Sequence, residues 1–163
     1  MAVDIEISRQ HIREEIALLK GMATLYKWGI IPDYGRLTVL ATMYACTGDL
    51  YIIEIRCDDY KERPPFFEFI DPDSGVPGTT HAYPARGTDS FFHNSGPCIC
   101  APFNRKAYKS VVSTGPHDDW NLGDWQTSTA SGVQWANYSK LGDMLGAIQT
   151  RINHPGLYKG RME

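Results

Sequence analysis

Two adjacent prolines, Pro64 and Pro65, stand between two strand-like segments and constrain the fold more than any other feature of this chain. Residues 50–58 and 66–71 are rich in β-branched and aromatic types, as strands are. Proline has no amide hydrogen for a sheet ladder, and it disfavours helical dihedral angles at the residue before it. The chain is therefore predicted to cross between the two strands as a stiff extended link rather than a tight hairpin. Tyr60, just before this link, is expected to pack its ring on the prolines and to anchor its hydroxyl.

The bulk properties favour one domain spanning residues 1–163. A chain of 163 residues with 42% hydrophobic and 21% charged residues is long enough for one core and short for two. A net charge of −3, with lysine and arginine scattered along the chain, makes nucleic acid an unexpected partner. The acidic N-terminal segment and the lack of a long apolar run predict a cytoplasmic protein that does not enter membranes. In that reducing compartment the 4 cysteines are expected to be thiols.

Hydrophobic periodicity predicts a helix at each end of the chain. The first covers residues 8–28, with Ser8 as its N-cap and Gly29 with Pro32 as its stop. Its polar face is expected to carry Arg9, Arg13, Glu14, Glu15 and Lys20. The second helix is expected to start after Asn137 or Ser139 as its cap and to stop at Pro155-Gly156. Its apolar stripe consists of Leu141, Met144, Leu145, Ile148 and Ile152.

Between the two helices, the pattern predicts an antiparallel four-stranded sheet followed by long loops. Strands are expected at 37–47 and 50–58, joined by a hairpin at Gly48-Asp49, then at 66–71, with a short fourth strand within 81–93. The Gly-, Ser- and Trp-rich region that follows shows no periodicity and is predicted to form long loops. The predicted fold class is α+β, with the helices packed on the sheet.

One loop segment concentrates the residues that can do covalent chemistry. His93, Asn94, Cys98 and Cys100 fall within eight positions of one another. Acyl transfer through a thioester needs an accessible thiolate and a donor for the tetrahedral oxyanion. A free cysteine has a pKa of about 8.5, so a neighbour such as His93 would help to form the thiolate. Asn94 can supply the hydrogen bond to the oxyanion.

These segments resemble those of ubiquitin-conjugating enzymes. Residues 51–69 match the strand and the "YPxxPPxxxF" segment of that family at Tyr60, Pro64, Pro65 and Phe69. His93-Asn94 followed by Gly96-Pro97-Cys98-Ile99-Cys100-Ala101 is similar to the family's His-Pro-Asn motif and its cysteine segment, and the context of Cys100 is favoured over that of Cys98. The interval from Trp135 to Pro155 also matches the end of the family's core. The long insertion at 102–134 looks more like that of divergent bacterial relatives encoded with antiphage systems or ubiquitin-like operons.

The resemblance implies a transferase that needs no metal or organic cofactor. Cys100 would accept a protein C-terminus as a thioester and pass it to an amine, with His93 and Asn94 assisting and Cys98 as the alternative nucleophile. The implied partners are an upstream adenylating enzyme or nucleotidyltransferase, a ubiquitin-like protein or other protein C-terminus, and an acceptor lysine. Arg9, Arg13 and Lys20 of the first helix would help to dock the upstream enzyme.

Two other classes of function stay open. One is a catalytically silent module of the same fold that only binds a ubiquitin-like protein. The other is a thiol redox or zinc protein built on Cys98 and Cys100 with His93. Cys46 and Cys57, which lie in apolar strand segments, are expected to be small buried hydrophobes.

Overall fold

A long N-terminal helix, α1, covers Ile5–Tyr26 of the computed structural model, which describes residues 4–89, 91–93, 97–107 and 140–163. The Asp4 carboxylate caps α1 by accepting a hydrogen bond from the Glu6 amide at 2.8 Å. The expected cap, Ser8, instead lies inside the helix and is buried. The helix ends at Lys27, whose φ of 59° is left-handed, so the expected stop at Gly29 and Pro32 is wrong.

The residues expected to stop the first helix instead form a strand. The four-stranded antiparallel sheet has the order β1-β2-β3-β4 and comprises β1 (Gly29–Asp33), β2 (Thr38–Tyr44), β3 (Leu50–Arg56) and β4 (Phe66–Ile70). Pro32 is tolerated in β1 because this strand lies at the edge of the sheet. The predicted four-stranded sheet is therefore confirmed, but the segment 81–93 does not supply its fourth strand.

Residues 81–93 take part in two other elements. A 3-10 turn covers Thr80–Ala82, and Phe92–His93 forms strand β5, which pairs with β6 at Cys98–Ile99 in a separate two-stranded sheet. A second 3-10 turn follows at Arg105–Ala107. These elements follow β4 in the sequence. The hairpin among them carries His93 and Cys98, two of the residues that the sequence singles out for chemistry.

The core lies between one face of the sheet and the two helices. Alternate strand residues such as Val39, Ile53 and Phe67 are fully buried, as period-2 side-chain alternation requires. The second helix, α2, covers Leu141–Asn153 and packs against α1 and β2. All five residues of its predicted stripe are buried, which confirms the pattern. The proposed caps Asn137 and Ser139, and Trp135, lie outside the described residues.

The connection between β3 and β4 runs from Cys57 to Pro65. As expected, it is not a tight hairpin. The expectation of an extended link is wrong for residues 58–62, which form a turn in which the Glu62 amide donates to the Asp59 carbonyl at 2.8 Å, and the two buried prolines follow this turn. The Tyr60–Lys61 peptide bond within it is cis. Tyr60 is fully buried, and its hydroxyl donates to Glu15 at 3.1 Å, so the predicted anchoring of the hydroxyl is confirmed, whereas packing of the ring on the prolines stays a prediction.

Candidate active site

The residues selected by sequence lie on a very short hairpin. In the β5–β6 pair, Phe92 is opposite Ile99 and His93 is opposite Cys98. Phe92 and Ile99 are buried in the core, so the alternation of side chains directs His93 and Cys98 to the other face of the hairpin. This register brings His93 next to Cys98 rather than Cys100.

Both thiols of the hairpin are free and half-buried. Cys100 follows β6 directly, and its amide donates to the Phe91 carbonyl at 2.7 Å, so its backbone is fixed at the end of the strand. Residues two apart in extended backbone point to the same side, which places Cys98 and Cys100 on one face. Burial raises the pKa of the Cys98 thiol to about 11, with further upward contributions from Cys100 and Glu68 and a downward one from Lys106.

A polar cluster that the sequence did not indicate lies beside Cys98. The Lys106 ammonium donates to both carboxylate oxygens of Glu68, at 2.6 and 2.7 Å, and to the Tyr83 hydroxyl at 3.2 Å. The Tyr83 hydroxyl also donates to Glu68, and burial beside this carboxylate raises the pKa of Tyr83. The one sequence signal was Glu68 itself, a charged residue in the middle of the apolar run Phe66-Phe67-Glu68-Phe69.

The proline link supports the turn that follows the hairpin. The Pro65 carbonyl accepts a hydrogen bond from the Arg105 amide at 2.9 Å. One residue earlier, the fully buried Asn104 accepts from the Phe67 amide at 3.0 Å through Oδ1. Both contacts fasten the turn at 104–107 to Pro65 and to the start of β4.

The predicted site residues are only partly described by the structure. His93, Cys98 and Cys100 are brought together on one hairpin, whereas Asn94 and residues 108–134 of the 102–134 insertion lie outside the described residues. The ligand atoms of His93, Cys98 and Cys100 do not converge within 4.8 Å, and among the described residues that distance is met only by Asp71, Asp73 and His81. The Asp71 carboxylate already accepts the amides of Asp73 and Ser74, at 2.9 and 3.3 Å, as a turn former does.

The two remaining cysteines differ from each other. Cys57 is fully buried, as expected, and burial raises its pKa strongly. Cys46 is exposed, so its expected role as a buried hydrophobe is wrong. It lies past the end of β2, where its amide donates to the Ile152 carbonyl at 2.9 Å. Cys46 is thus a solvent-accessible thiol remote in sequence from the hairpin.

Comparison with known proteins does not extend the resemblance. No family model matches the chain, and no curated protein matches it either. None of the helices in the described part of the chain has the length and apolar character needed to cross a membrane. Fold and site define an α+β protein with a half-buried pair of thiols on a short hairpin.

Proposed function

We propose that this protein is a ubiquitin-conjugating-like acyl carrier that takes a protein C-terminus onto Cys100 as a thioester and transfers it to an amine. The observation that carries the proposal is the free, half-buried Cys100 thiol at the end of β6, with its amide fixed to Phe91. The buried residues Tyr60, Pro64 and Pro65, which resemble the conjugating-enzyme segment, also support the proposal, and the Pro65 carbonyl binds the Arg105 amide in the turn after the hairpin.

The chemistry requires two exchanges at Cys100. Its thiolate attacks the carbonyl carbon of a donor thioester, and the tetrahedral oxyanion collapses with departure of the donor thiolate. An acceptor amine then attacks the new thioester, forms an amide, loses a proton and returns the Cys100 thiolate. Asn94 is the proposed donor to the oxyanion. No metal or organic cofactor enters either exchange.

Cys100 is preferred to Cys98 as the nucleophile because the environment of Cys98 disfavours its thiolate. Burial raises the pKa of the Cys98 thiol to about 11, so very little of this thiol is thiolate at neutral pH. Cys98 therefore remains the alternative nucleophile, and His93, which lies opposite it in register, is the residue that could change this balance.

The proposed partners follow from the resemblance. An upstream adenylating enzyme or nucleotidyltransferase would hand over the C-terminus of a ubiquitin-like protein or of another protein. A lysine of an acceptor protein would receive it. The setting would be a bacterial antiphage system. Arg13 and Lys20 of α1 are exposed and can dock the upstream enzyme, whereas Arg9 already donates to the Tyr34 carbonyl at 2.8 Å. A cytoplasmic location would keep the thiols reduced.

A synthetic peptide with a C-terminal mercaptoethanesulfonate thioester tests the proposal without knowledge of the upstream enzyme. Intact-mass and peptide analysis should show an adduct on Cys100 that is removed by dithiothreitol and by hydroxylamine. It should disappear in Cys100→Ala, remain largely in Cys98→Ala, and become an oxyester that survives dithiothreitol in Cys100→Ser. The exposed Cys46 provides an internal reference for unassisted reactivity.

The other classes of function give different results in the same experiment. A silent binding module would load Cys100 no faster than Cys46. A redox protein would form a disulfide between Cys98 and Cys100 when it is oxidised by dissolved oxygen, and that disulfide would be lost to dithiothreitol but not to hydroxylamine. A zinc protein would contain the metal in elemental analysis. Any of these results would overturn the proposal.

A further inference from the structure

The strand that carries the two thiols is too short to hold itself in place. The β5–β6 ladder consists of two residue pairs, and even longer isolated hairpins are only marginally stable in water. Contacts from outside the hairpin must therefore hold Cys98 and Cys100 where they lie. Two side chains from the turn that follows the hairpin make such contacts.

Asn104 binds the carbonyl between the two cysteines. Its Nδ2 donates to the Ile99 carbonyl at 2.8 Å, while its Oδ1 accepts the Phe67 amide of β4 and the Lys106 amide at 3.1 Å. The side chain is fully buried, so these hydrogen bonds are shielded from water. Through Asn104, the thiol strand is bonded to the central sheet.

Lys106 binds the carbonyl immediately before Cys98. Its Nζ donates to the Pro97 carbonyl at 3.1 Å, and the charge is balanced by the bidentate contact with Glu68. The two side chains are 23% and 13% exposed, so this pair is largely shielded from solvent. The carbonyls on both sides of Cys98 are thus each held by one side chain.

We propose that Asn104 and Lys106 are positioning residues that hold the Cys98 thiol in its half-buried position and thereby make Cys100 the reactive thiol of the pair. That these residues select the thiol that takes up the acyl group rests on the proposed function. Their effect on the burial of Cys98 does not. We call the contacts of Asn104 with the Ile99 carbonyl and of Lys106 with the Pro97 carbonyl the clamp. Because a displacement of about 1 Å changes reactivity strongly in a fixed site, the clamp can make two neighbouring thiols differ in reactivity.

Two effects of Lys106 on Cys98 oppose each other. Its positive charge favours the Cys98 thiolate, but its tether to Pro97 keeps the thiol buried, and burial is the largest influence on that pKa. The other groups that face Cys98 are the Cys100 thiol, Glu68 of β4, the Tyr83 hydroxyl of that polar cluster, and His93 across the hairpin. If the clamp operates, removing Lys106 lowers the pKa of Cys98, whereas a purely electrostatic Lys106 would raise it when removed.

Alkylation by iodoacetamide as a function of pH, followed by peptide mass spectrometry, separates these cases. In Lys106→Met and, independently, in Asn104→Ala, the midpoint of Cys98 alkylation should fall by about one pH unit or more. Lys106→Arg, which can reach the same carbonyl and carboxylate, should retain the parent midpoint. Lys159→Met removes an exposed lysine and controls for the change in net charge. Each variant is measured below its own thermal midpoint, with circular dichroism matching the parent, and Cys46 serves as reference.

A Cys98 midpoint that stays unchanged or rises in both variants would overturn the inference. Loading with the peptide thioester adds a second readout: acyl adducts should spread from Cys100 to Cys98 in Lys106→Met and return to Cys100 in Lys106→Arg. If the parent forms no adduct on Cys100 but the alkylation midpoints shift as expected, the proposed function fails while the clamp stands.

Discussion

The buried carboxylate of Glu15 in α1 accepts a hydrogen bond from the Leu141 amide, the first residue of α2, at 3.2 Å. The residue before α2, Lys140, provides no side-chain cap, so a residue more than a hundred positions earlier caps this helix. The same carboxylate accepts the Tyr60 hydroxyl and lies 2.9 Å from the Lys61 ammonium. Glu15 therefore joins both helices to the proline link.

Glu15→Gln should lower the thermal midpoint and the free energy of unfolding. The amide keeps the shape of the side chain but loses the charge that binds Lys61 and the α2 N-terminus. Because the Lys61 side chain is 36% exposed and water can solvate it, the expected cost is that of weakened hydrogen bonds to a charged group, about 1.5–3 kcal/mol. The neighbouring Glu14→Gln is the matched control, because Glu14 is exposed. Urea unfolding of both variants measures the difference, and equal midpoints would contradict the role of Glu15.

Tyr60→Ala should destabilise the protein by about 3–5 kcal/mol, since it removes a fully buried aromatic ring. Tyr60→Phe keeps the ring and removes only the hydrogen bond to Glu15, so its loss should be smaller, about 1 kcal/mol. Thermal and urea unfolding compare the two. A thermal midpoint of Tyr60→Ala equal to that of the parent would show that this ring does not support the link.

Gly142→Ala should destabilise the contact between the two helices. A Cβ at this position would lie 3.2 Å from Met22 Sδ and 3.3 Å from Leu19 Cβ, so the helices would have to move apart slightly. Gly21→Ala places the same methyl in α1 with no atom within 4 Å and should stabilise the protein by about 0.5–1 kcal/mol. Opposite signs in urea unfolding are expected, and a stabilising Gly142→Ala would refute the close packing.

His93→Ala tests whether the imidazole assists a thiol. Because His93 is paired with Cys98, the change should alter the pH profile of Cys98 alkylation more than that of Cys100.

For Asn94→Ala, the predicted loss of transfer rate is on the order of 100-fold without loss of stability or donor affinity. The peptide-thioester assay and the alkylation profile measure both. Parent rates and parent profiles in the two variants would assign the oxyanion to other donors.

The elements that periodicity alone determines were predicted well. The α2 stripe, β2, β3 and β4 follow from apolar spacing, and all three strands agree with the predicted centres. The prediction of secondary structure is wrong where one residue type is compatible with two kinds of element. Pro32 suits both a helix stop and an edge strand, and the tertiary pairing with Val39 decided for the strand.

Buried polar partners were the other source of error. The sequence predicts Glu15 on the solvent face of α1, because charge disfavours burial. Glu15 is nevertheless fully buried, and its partners come from residues 60, 61 and 141. Asn104 and Lys106 were missed for the same reason: their roles depend on carbonyls of Pro97 and Ile99, which have no signature in local sequence. Such long-range polar contacts are a property of the fold rather than of any segment.

The edge strand β1 also has a consequence for self-association in concentrated solution. An exposed strand edge can template the addition of a strand from another molecule, which begins ordered aggregation. Pro32 offers no amide hydrogen to an incoming chain, so a regular ladder cannot extend across Gly29–Asp33. The same proline that obscured this strand in the sequence therefore protects the β1 edge of the sheet from polymerisation.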